Sequence, residues 1–419
     1  MAKTTLPNGL RIVSEEIPGI ASLALGIWVQ HGSRDEEPAR NGLAHFLEHL
    51  FFKGTARRTA AQLAEEIDAV GGILNADTDR EFTCYHAKVL GEQAPLAIDL
   101  LADMFLASRL DPDDIARERE VVLEEIAQIE DTPDDVVHDL FHRAYWPAHP
   151  LGAPVCGTRA TVEAFDRDAC VDLLERRYRP DRIVIAAAGR LAHGVLVDEI
   201  TARFGGLDGR AAAEDATTPV ARSSVTVFER KLEQVQLCLG TAGVAAADPG
   251  RDAVAVLNAA LGDSPSSRLF QEIRERRGRA YSIESFTCGY RDTGYLGIAA
   301  GTRTRWIAEV VDVVLAELRR VKREGLPAAE LARAKGKLKG TLLLALETSD
   351  QRMERLALNE MYFGRAVPEE EIARRIDAVG NDDVVAAAER LFVPDGCALV
   401  LLGDVRGQAP DARVFETLG

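Results

Sequence analysis

The chain has 419 residues, more than one ordinary hydrophobic core supports, so it reads as two or three domains. Hydrophobic residues make up 47% and charged residues 28%, the composition of a globular protein, and the net charge of −17 argues against nucleic acid or an anionic membrane as partner. No apolar run reaches the length of a membrane helix, and the opening MAKTTLPNG lacks the apolar stretch of a signal peptide. The six cysteines (Cys84, Cys156, Cys170, Cys238, Cys288, Cys397) are scattered and form no CxxC pair. That spacing predicts free thiols in a reducing compartment, hence a cytoplasmic protein, and not a disulfide framework or a cysteine zinc site.

The first periodic segment alternates. Leu23, Leu25, Ile27 and Val29 point one way and Ser22, Ala24, Gly26 and Trp28 the other, which predicts a strand with one face on a core. Next comes NGLAHFLEHLFFKGT, residues 41–55, apolar enough to be a buried helix. His45 and His49 are four apart and share a helical face, so both imidazoles can reach one zinc ion. Glu48 sits beside them, placed to accept a proton from a water that the metal acidifies. Two structural histidines are the plainer alternative, but a buried His-Glu-His cluster needs a partner.

A catalytic zinc takes a third protein ligand and keeps one position open. Pro112 starts a helix after Asp111, and the following residues carry Glu118, Glu120, Glu124, Glu125 and Glu130. Glu118 and Glu125 are seven apart and fall on one face, but spacing does not choose among Glu118, Glu124 and Glu125.

The chain is written twice. RPDRIVIAAAG ends at Gly189 and VPDGCALVLLG at Gly403, with the same Pro-Asp to Gly spacing. Leu110, Ile115 and Arg117 correspond to Leu326, Leu331 and Arg333, Gly54 to Gly262, and Gly71 to Gly278. Residues 207–222, rich in Ala and Thr, read as the linker. The expectation is therefore an α+β protein of two homologous domains, 1–206 and 223–419, each a mostly antiparallel sheet with long helices packed on one face. In the second copy the motif positions fall on Ala253, Val256 and Leu257, and no histidine follows His193. Only the first domain can build a two-histidine site.

These motifs resemble the pitrilysin/insulysin family of inverted HxxEH metallopeptidases, which includes the mitochondrial processing peptidase. The resemblance covers essentially the whole chain. EREVVLEE resembles the family's ERxxVxxE, which places the third zinc ligand at Glu125 and an auxiliary acid at Glu118. GGILNADTDREFTCY resembles its GGxxNAxTxxExTxY segment and implies that Asn75 and Ala76 lie on an edge strand that pairs with substrate backbone. SPSSRLFQEIRERRGRAYSIESF resembles its SSRLFxxIRExxGLAYSVxSF segment, which implies that Arg274 and Tyr281 hold substrate and stabilise the tetrahedral oxyanion. Arg279 stands where the family has Leu. What the resemblance implies is a zinc endopeptidase, one zinc per chain, acting on oligopeptides or unfolded segments inside a dimeric chamber. It also implies a homodimer in which Arg274 and Tyr281 serve the partner's zinc. The alternative is a non-catalytic subunit or an obligate heterodimer partner; such subunits lose ligands, and this chain keeps His45, Glu48, His49 and Glu125.

Overall fold

A computed structural model describes residues 1–211 and 217–419. The middle of the expected linker, residues 212–216, lies outside the described residues. Among the described residues no helix is long and apolar enough to cross a membrane. None of the six cysteines is in a disulfide.

Eleven strands are described: β1 (Ala2–Thr5), β2 (Arg11–Glu16), β3 (Ser22–Val29), β4 (Ile73–Thr78), β5 (Thr83–Leu90), β6 (Ile183–Gly189), β7 (Ser224–Phe228), β8 (Val235–Ala242), β9 (Ala280–Gly289), β10 (Gly294–Thr302) and β11 (Ala398–Leu402). They form a six-stranded sheet of order β1-β2-β6-β3-β5-β4 and a five-stranded sheet of order β7-β11-β8-β10-β9. The pairings β2–β6 and β7–β11 are parallel and the rest are antiparallel. Reading β2, β6, β3, β5, β4 as β7, β11, β8, β10, β9 superimposes one order on the other. The fold is α+β, and the sequence duplication is a duplication of topology.

The chain forms two compact units, and neither is continuous in sequence. One comprises Met1–Ala127, Ala153–Ala216 and Ala345–Ala366; the other comprises Gln128–Gly152, Thr217–Leu344 and Val367–Gly419. Each sheet is thus joined by a helix from the opposite half of the sequence. On the first sheet, the helix Ser349–Phe363 brings Met353, Leu356 and Ala357 against Val13, Ala24, Trp28, Val184, Ala186 and Ala188. Its polar side is tied down too: Lys88 pairs with Asp350 at 2.6 Å, Arg352 with Glu15 at 2.5 Å, and the Tyr362 hydroxyl donates to Glu81 at 2.7 Å. On the second sheet, the helix Pro133–Tyr145 brings Val136, Val137, Phe141 and Tyr145 against Cys238, Tyr295, Ala398, Val400 and Leu402. Gly240 admits it, since a Cβ there would lie 2.1 Å from the Phe141 ring. The two helices occupy equivalent places, 216 residues apart, so the exchange is reciprocal.

This exchange corrects the one-sided reading of β3. Leu23, Leu25, Ile27 and Val29 face the first core, as the alternation predicts. Ala24 and Trp28 are also buried, under the helix Ser349–Phe363. A strand covered on both faces loses its polar side, which is why β6 reads Ile-Val-Ile-Ala-Ala-Ala-Gly without a break.

Candidate metal centre

The motif forms the helix Leu43–Phe51, and all of it but His49 is buried. Its entry is tightly specified. Gly42 has φ 93°, and a Cβ there would sit 2.6 Å from the Gly157 backbone, so only glycine fits. The first N–H groups of the helix lack partners of their own kind. The buried Glu36 carboxylate supplies them, accepting from the N–H of Gly42 and of Ala44 at 2.6 Å each, with Asn41 Nδ2 at 3.4 Å. Burial pushes the Glu36 carboxyl up to about 8, against these hydrogen bonds, which pull it down.

That shift has a sign. Glu36 binds its proton more tightly folded than unfolded, so it stabilises the fold at low pH, and the contribution is lost as pH rises through about 8. Between pH 5 and 8 it lowers stability by roughly 1 kcal/mol per pH unit. Glu36→Gln is expected to flatten that slope in melting temperature against pH. An unchanged slope in the variant defeats this account.

At the next turn the imidazoles stand 4.8 Å apart, centroid to centroid. Glu125 reaches them from the helix Pro112–Glu130: its Oε1 is 3.6 Å from His45 Nε2 and its Oε2 is 3.5 Å from His49 Nε2. Donor atoms of His45, His49 and Glu125 all lie within 4.8 Å of one another. Of the open alternatives on that helix, Glu118 and Glu125 face the histidines and Glu124 is exposed. Glu118 Oε2 is 3.3 Å from His49 Nδ1, while its Oε1 is held by Lys53 Nζ at 2.8 Å.

The titrations follow from this geometry. Hydrogen bonding to both histidines holds the Glu125 carboxyl far below the usual carboxylate range. Burial works against a charge on His49, but Glu118 and Glu125 outweigh it and push the imidazole up to about 9. Glu118 is buried as well, yet His49 and Lys53 hold it low. Glu48 differs. Burial raises its carboxyl, and the Thr78 hydroxyl, donating to Oε2 at 2.5 Å, only partly offsets that.

Two imidazole nitrogens around one carboxylate fit a divalent zinc ion, a His-His-Glu set with Glu48 close by but turned to Thr78. The pairing of His49 Nδ1 with Glu118 has the geometry of an outer carboxylate behind a metal-binding histidine. His45 Nδ1 is buried without a hydrogen-bond partner, so nothing comparable fixes that ring.

Asn75 and Ala76 lie on β4, the edge of the six-stranded sheet; Asn75 is exposed and Ala76 buried. Two residues on, Thr78 touches Glu48, so the edge strand runs beside the motif helix. Arg274 and Tyr281 belong to the other compact unit. The Arg274 guanidinium lies 4.6 Å from the Phe270 ring centroid and 5.2 Å from that of Tyr281, which is 77% exposed. Sequence reasoning missed Glu36, Lys53 and Thr78. Thr78 stands inside the segment read as the edge strand, where a period of two places it on the side of Ala76; nothing local marked Glu36 or Lys53.

Residues 11–159 match the family described as Insulinase (Peptidase family M16), and residues 164–338 match the one described as Peptidase M16 inactive domain. A Streptomyces coelicolor protein named as an uncharacterized zinc protease is 44% identical, covering 99% of this chain and 89% of its own. The Bacillus subtilis zinc protease YmxG, likewise named uncharacterized, is 40% identical over 93% of this chain and 95% of its own. In fold, a Pseudomonas fluorescens structure titled peptidase M16 inactive domain matches with TM-score 0.90 at 19% identity, over 96% of this chain and 98% of its own. A Helicobacter pylori protease matches with TM-score 0.87 at 21% identity, over 96% and 98%. With the duplicated fold and the His-His-Glu cluster in its first half, the chain is a member of the insulinase family, peptidase family M16.

Proposed function

We propose that the chain is a zinc-dependent endopeptidase that hydrolyses peptide bonds in oligopeptides or unfolded segments. The observation that carries this is the convergence of His45, His49 and Glu125 beside a buried carboxylate, Glu48, whose carboxyl is raised. His45, His49 and Glu125 hold one zinc per chain. Bound there, zinc supplies Lewis acidity that polarises a water and the scissile carbonyl.

The chain's own groups do the rest. Glu48 takes a proton from the attacking water and returns it to the leaving amine, a role its raised carboxyl suits at neutral pH. The Thr78 hydroxyl holds Glu48 in place, and Glu118 holds His49. The free edge of β4, with Asn75 and Ala76, binds the substrate as an added strand, so only extended chains fit. Arg274 and Tyr281 offer a cation and a phenol to the oxyanion. Because they sit in the half without metal ligands, we place them in trans, in a homodimer whose two chains enclose the substrate. Six cysteines outside any disulfide suit a cytoplasmic setting.

The direct test is a quenched basic peptide. Wild-type protein is expected to cleave it, to lose activity with a chelator, and to regain it on adding about one zinc per chain, as one ligand set requires. Metal bound at that ratio with no cleavage of any peptide tried points instead to a non-catalytic or obligate-heterodimer subunit.

A further inference from the structure

A cavity lies in the unit that does not contain His45, His49 and Glu125. It is open to solvent, has a volume of about 490 Å³ at the start of β9 and the end of β10, and is lined by Arg279, Tyr281, Arg303, Arg305, Trp306 and Gln234. Its charge is unusual for this chain, which carries 67 acidic residues against 50 basic ones. Glu309 pairs with Arg279 at 2.7 Å and with Arg277 at 3.6 Å, and Arg277 also meets Glu272 at 4.0 Å. Arg303 and Arg305 are exposed and, among the described residues, pair with no carboxylate. Arg279 lies 3.6 Å above the Trp306 ring and Arg305 4.7 Å from it, so the indole fixes both cations at the cavity wall. The helix Ile307–Glu324 begins directly after Trp306 and adds the positive end of its dipole.

The chemistry that satisfies this wall is a planar anion. A carboxylate takes two parallel hydrogen bonds from a guanidinium fork, and the Trp306 and Tyr281 rings flank the apolar atoms next to it. Tyr281 gives the occupant its class, because the residue assigned to the peptide is also in this cavity. We propose that the cavity binds a carboxylate of the peptide substrate, through Arg303 and Arg305, and so sets a preference for peptides that carry an acidic group there. This rests on the peptidase reading above.

Trp306 gives a readout that needs no turnover. Trp28 and Trp146 are each 1% exposed, so a soluble quencher reports on Trp306. The probes are one acetylated peptide with a C-terminal acid, the same peptide with a C-terminal amide, the amide with an internal Glu, and inorganic phosphate. Each is titrated into the Glu48→Gln protein while acrylamide quenching is followed.

The acid is expected to bind about tenfold more tightly than the amide and to shield Trp306. Arg303→Gln with Arg305→Gln, both at exposed positions, is expected to erase the difference while the amide binds as before. Recovery of tight binding by the internal Glu assigns the cavity to a side chain; no recovery assigns it to the chain terminus. Equal binding of acid and amide, unchanged in the double variant, overturns the proposal, as does shielding by phosphate without that discrimination. The peptidase reading is judged apart, by whether wild-type protein cleaves the peptides at all.

Discussion

Glu48→Gln is expected to bind zinc as the wild type does and to cleave peptides about 100- to 10,000-fold more slowly, the contribution of one well-placed general base. The argument is geometric. Glu48 accepts from the Thr78 hydroxyl and is not among the converging donors, so its loss leaves His45, His49 and Glu125 in place. Glutamine has the same shape, and its amide oxygen still accepts from Thr78, but it takes no proton at neutral pH. Glu48 is buried and its carboxyl is raised, so removing the charge relieves a desolvation cost, and the melting temperature should hold or rise slightly. Metal analysis and kcat on one peptide decide it. A variant that cleaves at the wild-type rate removes Glu48 from the mechanism, and one that loses zinc makes it a ligand.

The second large effect separates the two halves of the proposed site. A His45→Ala chain is expected to be inactive and to lose tight zinc binding, since one of three converging donors is gone. A Tyr281→Ala chain is expected to keep zinc and fail in turnover. If Tyr281 serves the partner's zinc, mixing the two dead chains puts both lesions into one site of each mixed dimer and leaves the other intact. With equal amounts and free exchange, activity should return to about a quarter of wild type, because half of the dimers are mixed and half of their sites are whole. If Tyr281 serves its own chain, every site carries a lesion and no activity returns.

The site was more legible than the scaffold around it. His45 and His49 read directly from helical spacing, and Glu118 and Glu125 from seven-residue spacing on an acidic helix. The choice against Glu124 needed three dimensions: a one-residue step turns a side chain by about 100°, and sequence does not say which face meets the histidines. Glu36 was invisible because its partners are backbone N–H groups on a helix that begins seven residues later, and no side-chain pattern records such a bond. The duplication was legible from Pro-Asp-to-Gly spacing and shared glycines. The helix exchange was not. Met353 and Leu356 look like an ordinary amphipathic face, and periodicity shows that a face is covered without showing which sheet covers it.

That exchange bears on what the half of the chain without the metal cluster does for the other half. Ser349–Phe363 covers Ala24, Trp28 and the apolar strand Ile183–Gly189, and Pro133–Tyr145 does the same for the other sheet. Neither copy is a module that could be lifted out of the gene, because each would leave behind a sheet stripped of its roof. The positions that correspond to the motif in the second copy, Ala253, Val256 and Leu257, sit on a different helix from the one it lends. Metal binding and structural duty therefore fall on separate segments, so a copy without ligands at the motif positions still supplies the roof of the other sheet.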